Sequence, residues 1–409
     1  MAEFVARETL REQLAGASFD RPPALVANAH VTGLGVARAL DAHGVPVIAV
    51  DRTDTGVAPP STAVEFAGAV TYPLADPAGF RADLEALADA AGSELVALGC
   101  MDEWVHGLAD TEPEGVRLAS AGKEAIDAVL DKSALYRLAE AMGIPYPETR
   151  WLADTDPTAV AEQLGLPLVV KPAFKREFEE AVGTNVLEVA TVEELREVVA
   201  TAREAGIEVL AQETVPVAPG EDASLASYVP PSGVGDALSV VGNARLRQPR
   251  GFGTSCVVET ADLPAVEERA LAVLAETGYH GISEAEFVYD TDREEYVLLD
   301  VNTRPWKWIG LPVAAGANLP MAAYADAVGE DYGSEKQGAA TWVSLPDYLR
   351  GLAGGAPDLL DASDWQAFLS GSFERRADLT AAVYRPSDPG PARRLVQNEV
   401  GGGEYYCAC

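Results

Sequence analysis

The sequence predicts an α/β protein, and three stretches carry that prediction. Residues 24–51 read strand, glycine turn, helix, strand: A-L-V-A-N-A, a turn over 30–35 containing Gly33 and Gly35, a helix over 36–43, and V-P-V-I-A-V-D. Apolar runs at 66–72 and 95–99, separated by a helical stretch at 77–91, repeat the alternation, which is the pattern of a parallel sheet continuing to about residue 120. Residues 285–289 and 296–301 are two apolar runs joined by the polar 290–295, the pattern of an antiparallel hairpin.

Composition limits the function classes. At 409 residues the chain is long enough for two or three subdomains with sizeable cores. Its 30 Lys and Arg against 64 Asp and Glu leave a net charge of -34, a field that disfavours nucleic acid and anionic membranes as partners. The acids are dispersed along the whole chain, as in proteins adapted to concentrated salt, where screening relieves self-repulsion. Four cysteines, Cys100, Cys256, Cys407 and Cys409, do not make a disulfide scaffold. The charged start (Glu3, Arg7, Glu8, Arg11, Glu12) is unlike a signal peptide and no apolar run reaches membrane-spanning length, so a soluble cytoplasmic protein is expected.

Taken in order, the first βαβ unit places Gly33 and Gly35 where backbone can approach a ligand at a helix start, and Asp51 where a dinucleotide-binding protein keeps its ribose acid. Arg38, however, stands where that fingerprint wants Gly or Ala. Asp102 and Glu103 follow the strand at 95–99, at the end of the sheet where such folds bind ligands; they read either as a hold on a substrate amine or, for Asp102, as a helix cap. Leu135, Leu138, Ala139 and Met142 form a helical stripe ended by Gly143. Lys132, at the start of that helix, reads on its own as a surface lysine. The apolar strand L-P-L-V-V ends in Lys171, a cation that is costly to bury without an anion. A helix over 192–205 leads into a strand over 208–215, and a strand over 236–246 runs into Arg245, Arg247 and Arg250 beside Gly251, Gly253 and Thr254. Those arginines suit an anion, either a substrate carboxylate or a transferring phosphate, or else neutralise nearby acids. After a helix over 263–278 comes the hairpin. A turn centred on Arg293 sets Glu286 opposite Asp300, with Asn302 on the same face as Asp300. Two facing carboxylates repel unless a cation sits between them, and two carboxylates plus an amide oxygen suit Mg²⁺; the alternative is a solvated acidic face. Trp306 and Trp308 flank Lys307 just beyond, as walls of a pocket or as packing.

These residues resemble the ATP-grasp superfamily, whose metal-binding end carries an acid on one strand and acid-x-Asn-x-Arg-Pro on the next. Glu286, Asp300, Asn302, Arg304 and Pro305 fill those places. The resemblance implies ATP with Mg²⁺, or Mn²⁺ in its place, held by Glu286, Asp300 and Asn302. It implies that Lys132, ahead of a helix and G-I-P-Y-P, touches the nucleotide phosphates, with Lys171 on the α-phosphate side. It implies an adenine hinge at Gln212, Glu213, Thr214 and Val215, and a ribose acid at Glu213 or Glu221. Where the family has a glycine-rich loop over the phosphates, this chain has K-R-E-F-E-E-A-V-G-T-N, whose Lys175 and Arg176 are candidates to contact phosphate instead.

The resemblance divides the chain into a Rossmann-like pre-ATP-grasp domain (1–122), an ATP-grasp domain (123–330, its lid about 123–210 and its metal-binding part about 211–330) and a C-terminal appendage and tail (331–409). Within the superfamily the chain looks like the carboxylate-amine ligases, in which ATP phosphorylates a carboxylate and an amine displaces the phosphate. Arg304 and Arg247 are then the catalytic cations, and the partners are a small carboxylate and a small amine, of the amino acid or peptide class. Two other functions stay open: a nicotinamide-dependent dehydrogenase built on the N-terminal glycines, and a non-catalytic nucleotide-binding regulator. Cys407 and Cys409 in the G-G-G-E-Y-Y-C-A-C tail are a metal or redox pair only in a minor reading.

Overall fold

The computed structural model describes residues 2–153, 155–173, 186–249, 253–334, 337–373 and 376–401. Lys175, Arg176, Arg250, Gly251, Cys407 and Cys409 therefore lie outside the described residues. Among those described, no helix is long and apolar enough to cross a membrane.

The first sheet is parallel and six-stranded, in the order β1-β4-β3-β2-β5-β6. Its strands are β1 (Phe4–Val5), β2 (Ala24–Ala27), β3 (Val47–Asp51), β4 (Phe66–Ala69), β5 (Leu95–Gly99) and β6 (Val116–Leu118). β2, β3 and β5 are buried at every position, which is why they read as continuous apolar runs rather than as alternations. Helices α1 (Arg7–Ala15), α2 (Val31–Asp41), α3 (Pro77–Ala91) and α4 (Asp102–Thr111) cover the sheet.

The glycine turn expected over 30–35 is not a loop, because α2 already starts at Val31 and Gly33 and Gly35 lie in its first turns. A Cβ on Gly33 would stand 2.1 Å from the carbonyl oxygen of Asn28, and one on Gly35 would stand 2.7 Å from Ile309 Cγ2. Both glycines thus permit close packing of protein on protein. Asp51 is likewise used internally, accepting from the N–H of Ala29 at 2.8 Å and of Arg52 at 2.7 Å. The features that suggested a dinucleotide site are accounted for by the fold itself.

Helices α5 (Lys123–Leu130) and α6 (Lys132–Met142) lead to a four-stranded antiparallel sheet, β7-β10-β8-β9. It comprises β7 (Thr149–Trp151), β8 (Leu168–Pro172), β9 (Leu187–Val189) and β10 (Val209–Glu213), backed by α7 (Pro157–Leu164) and α8 (Val192–Glu204). Leu152, Val160, Leu168, Val170, Leu195 and Val209 belong to a core confined to this unit.

The third sheet has seven strands, β15-β14-β11-β12-β13-β16-β17. They are β11 (Val217–Val229), β12 (Leu238–Gln248), β13 (Thr254–Thr260), β14 (Gly281–Asp290), β15 (Glu295–Asn302), β16 (Thr341–Val343) and β17 (Leu379–Ala381). One face packs Ala223, Leu225, Ala285 and Phe287 against α5 and α9 (Pro264–Thr277). The other face shares a continuous core with the first sheet, in which Ala226, Ile282, Trp306, Trp308 and Ile309 join Ala24, Val26, Leu34 and Ala37. α10 (Gly310–Ala314) and α11 (Leu319–Val328) contribute to that seam. α12 (Leu345–Ala353), α13 (Ala362–Ser370) and α14 (Gly390–Gly401) complete the chain.

Candidate active site

The site is built on the β14–β15 hairpin, whose turn is held by Asp290 accepting from the N–H groups of Asp292 and Arg293 at 2.9 and 3.0 Å. Asp290 faces Glu295 and Tyr289 faces Tyr296, so a uniform ladder would set Glu286 opposite Leu299. The register instead shifts after Glu286, and Asp300 becomes its partner. This bulge decides the chemistry: one extra residue turns the Asp300 side chain from the far face to the face carrying Glu286. The carbonyl of the bulged Leu299 accepts from the hydroxyl of Tyr136 at 2.6 Å. Four residues earlier on the same face of α6, Lys132 reaches Asp300, with Nζ 2.6 Å from Oδ1. Asp131 caps α6, accepting from the N–H of Ser133 at 2.8 Å, so the helix that delivers both groups is pinned at its start. Burial, with Asp300 and Glu286 nearby, raises the Tyr136 phenol and keeps it a neutral donor.

Around this pair the acids are offset one by one. Asn302, opposite Glu284, donates to Glu286 Oε1 at 2.9 Å and to Glu284 Oε2 at 3.2 Å. Arg247 on β12 donates through Nε to Asp222 Oδ2 at 2.6 Å and lies 3.8 Å from Glu286 Oε2. Burial raises Asp222, with Arg247 opposing that shift. Arg304 is buried at 6% exposure and donates to Asp102 Oδ1 at 2.5 Å and to the carbonyl of Pro305 at 3.1 Å. Asp102 is the first residue of α4 and not its cap, which is Met101; its carboxylate ties the third sheet to the carboxyl end of β5.

Apart from Lys132 on α6, the nucleotide candidates lie on the four-stranded sheet, on the turn after it and, for Glu221, on β11 of the seven-stranded sheet. Lys171 is half-buried near the end of β8, paired with Leu210 on β10. Gln212 is buried inside the sheet, paired with Thr149 and Val169, and its side chain donates to Thr149 Oγ1 at 2.9 Å. Glu213 still pairs with Leu168, and its Oε1 accepts from the N–H of Glu148 and from Arg293, both at 2.6 Å. Thr214 and Val215 are the first residues beyond the ladder. Glu221 on β11 accepts from the hydroxyl of Tyr296 at 3.3 Å, and burial with Glu221 pushes that phenol up to about 12.

The structure thus gathers Glu286, Asp300, Asn302, Lys132 and Arg247 in one patch. It sets Arg304 at the seam with the first sheet, and it separates Arg245, which is exposed and 3.7 Å from Glu259. Trp306 and Trp308 are buried edge to face at 4.9 Å in the shared core, so they pack. Sequence reading missed Glu284, Asp222 and Tyr136. Glu284 was within reach, because it sits two residues before Glu286 and strand alternation puts both on one face. Asp222 becomes visible only once the β11–β12 register pairs the two strands.

Among the described residues no group of three or more His, Cys, Asp and Glu side chains is gathered to hold a metal ion. The hairpin nevertheless fits Mg²⁺. It supplies hard oxygen donors, two carboxylates on directly opposed residues and one amide, and Mg²⁺ keeps its remaining places for water and phosphate.

No model of a protein family matches the chain. It is 29% identical to a D-alanine–D-alanine ligase of Cupriavidus necator over 289 residues, 65% of this chain and 82% of that one. Among solved structures, it superposes on the biotin carboxylase of Campylobacter jejuni, determined as a β-γ-ATP complex, with a TM-score of 0.62 and 14% identity over 78% of this chain and 75% of that one. The N5-carboxyaminoimidazole synthetase of Staphylococcus aureus, determined with ADP, superposes with a TM-score of 0.60 and 13% identity over 80% and 82%. The parallel sheet, the four- and seven-stranded sheets in their order and the acidic hairpin occur together with these likenesses, and the chain has the ATP-grasp fold.

Proposed function

We propose that the chain uses ATP to activate a small carboxylate, of the amino acid or peptide class, as its acyl phosphate and passes the acyl group to a small amine. The observation that carries this reading is the bulged pairing of Glu286 with Asp300, with Lys132 set against Asp300 and Arg247 near Glu286. An array of alternating charge on a rigid sheet suits alignment and neutralisation of polyphosphate, the main needs of phosphoryl transfer. Mg²⁺, or Mn²⁺ in its place, would be held by Glu286, Asp300 and Asn302 and supplies positive charge to the phosphate oxygens. Thr214 and Val215 are the backbone available to the adenine edge. Glu221 is the better ribose acid, because Glu213 is engaged by Arg293 and by the N–H of Glu148. Lys171 and Lys132 offset the phosphates, and Arg304 and Arg247 face the transferring group and the substrate carboxylate.

In the first step a carboxylate oxygen attacks the γ-phosphorus, the new P–O bond forms, and the bond to ADP breaks. In the second the amine lone pair attacks the acyl carbon, the C–N bond forms, and phosphate departs with the original carboxylate oxygen while the amine proton passes to solvent. Carboxylate labelled with ¹⁸O should therefore pass one labelled oxygen to the released phosphate, with ADP as coproduct. AMP and pyrophosphate, or unlabelled phosphate beside amide product, would contradict this chemistry. The dispersed net charge of -34 also supports a working environment of concentrated salt. Melting temperature should fall as KCl is lowered from molar to millimolar, and a flat response would remove that reading.

A further inference from the structure

The seam between α2 and the C-terminal segment holds a partly open cavity of about 100 Å³. Arg38, Arg385 and Lys307 line it together with Gly35, Trp342 and Ala382, and neither the hairpin acids nor Lys132 or Lys171 reach it. Three cations around one small cavity are unexpected in a chain of net charge -34.

Two of the three are committed. Arg38, 6% exposed, donates to Asp388 Oδ2 through Nε at 3.1 Å and Nη2 at 2.8 Å, and to the carbonyl of Val383 at 3.0 Å. Lys307 donates to Thr254 Oγ1 at 2.7 Å and to Asp347 Oδ2 at 2.6 Å. Arg385 differs. It is half-buried, and its guanidinium makes no hydrogen bond or ion pair with any described residue. Asp388, the acid whose charge acts on Arg385, is already taken by Arg38, by Ser61 Oγ at 2.6 Å and by the N–H of Thr62 at 3.0 Å. Burial, reinforced by the Arg385 charge, pushes Arg38 down to about 10, and burial lowers Arg385 as well. Asp388 pairs with Arg38, and Asp347 with Lys307 and Arg350, so among the described residues Arg385 is the lining cation with no acid in hydrogen-bond contact. A desolvated guanidinium with unused donors is the group that binds oxyanions in a fork. The space suits one such group, since it would hold only a handful of waters at roughly 15 Å³ each.

We propose that this cavity is a binding site for a small oxyanion, a phosphoryl or carboxylate group, held by Arg385 with Arg38 and Lys307 completing its positive wall. The site is separate from the acidic hairpin and does not depend on which acid and amine the ligase joins. The test uses the full chain at fixed KCl without ATP, with inorganic phosphate in one arm and malonate in the other, read by calorimetry and thermal melting. At least one of the two should bind and stabilise both the wild type and Lys171→Met. Its affinity should fall at least tenfold in Arg385→Met, about 1.4 kcal/mol. Without anion, Arg385→Met should melt no lower than the wild type, because it removes a half-buried charge that no acid contacts. Phosphate binding alone would identify a phosphoryl ligand, and malonate binding alone a carboxylate. The proposal is overturned if neither anion binds the wild type, if Arg385→Met binds equally well, or if that variant melts lower or does not fold, which would make Arg385 structural.

Discussion

The four-stranded sheet packs its apolar side chains into a core of its own, whereas the seven-stranded sheet shares one face with the first, parallel sheet. The difference extends to polar contacts. Arg304 to Asp102 and Arg38 to Asp388 fasten the large assembly across elements far apart in sequence, and each arginine is 6% exposed. The small sheet touches the rest through a more exposed pair, Glu213 with Arg293, and through the part-buried Ser133 with Glu208. The platform that carries the acidic hairpin thus shares its core with the first sheet, while the unit carrying Lys171 packs around a core of its own. Substitutions in the two regions should fail differently.

The largest effect is expected at the buried seam. Burial would raise Asp388, yet the Ser61 hydroxyl, Arg38 and the Thr62 N–H outweigh it and hold the carboxylate below its ordinary range. Asp388→Asn leaves Arg38 buried without a counter-charge and should cost about 3 kcal/mol of global stability by denaturant unfolding at pH 7. A depressed folded-state value contributes stability above the unfolded value near about 4 and loses it as pH falls through the folded value. The gap between variant and parent should therefore close below about pH 4. A gap that stays constant into acid would show that charge is not what the pair supplies.

Next in size is the core of the small sheet. Leu195→Ala empties a fully buried position and should cost about 3 kcal/mol, but locally. Hydrogen exchange should accelerate across 149–213 and remain unchanged in β14 and β15. Acceleration in both would erase the distinction between the regions. Smaller still is Lys171→Met, which should weaken ATP binding by calorimetry about tenfold, or about 1.4 kcal/mol, without moving the global melting temperature. Unchanged affinity would mean that the phosphates lie away from β8.

How much of this was legible in the sequence also differs by region. The parallel strands could be read because burial on both faces leaves unbroken apolar runs, and β5 and α3 end where the pattern ends. The facing of Glu286 and Asp300 was legible, but for an incomplete reason: a plain ladder centred on Arg293 gives the pair, while the actual ladder is offset by one residue and a bulge at Leu299 restores it. A bulge leaves no mark in alternation this short. Gly33 and Gly35 were misread because a glycine admitting a ligand and one admitting a neighbouring side chain look alike until the neighbour, here Ile309, is in place. The strands β16 and β17 extend the large sheet at its edge, and at three residues each they are too short to show a period. The partners of Arg304 and Arg38 lie 202 and 350 residues away, beyond any local pattern.

The central claim is that the hairpin acids act in phosphoryl transfer while nucleotide affinity rests largely on groups outside the hairpin: the small sheet, the turn after it, Glu221 and Lys132. It is tested most directly by Asp300→Asn, which keeps size and a hydrogen-bonding oxygen for Lys132 but removes one charge from the patch. ATP affinity and turnover are measured on the same preparation. Turnover should fall about a hundredfold, roughly 2.7 kcal/mol of barrier, with ATP affinity within about threefold of the parent. Turnover within a few-fold of the parent, or a loss of turnover matched by an equal loss of affinity, would contradict the account.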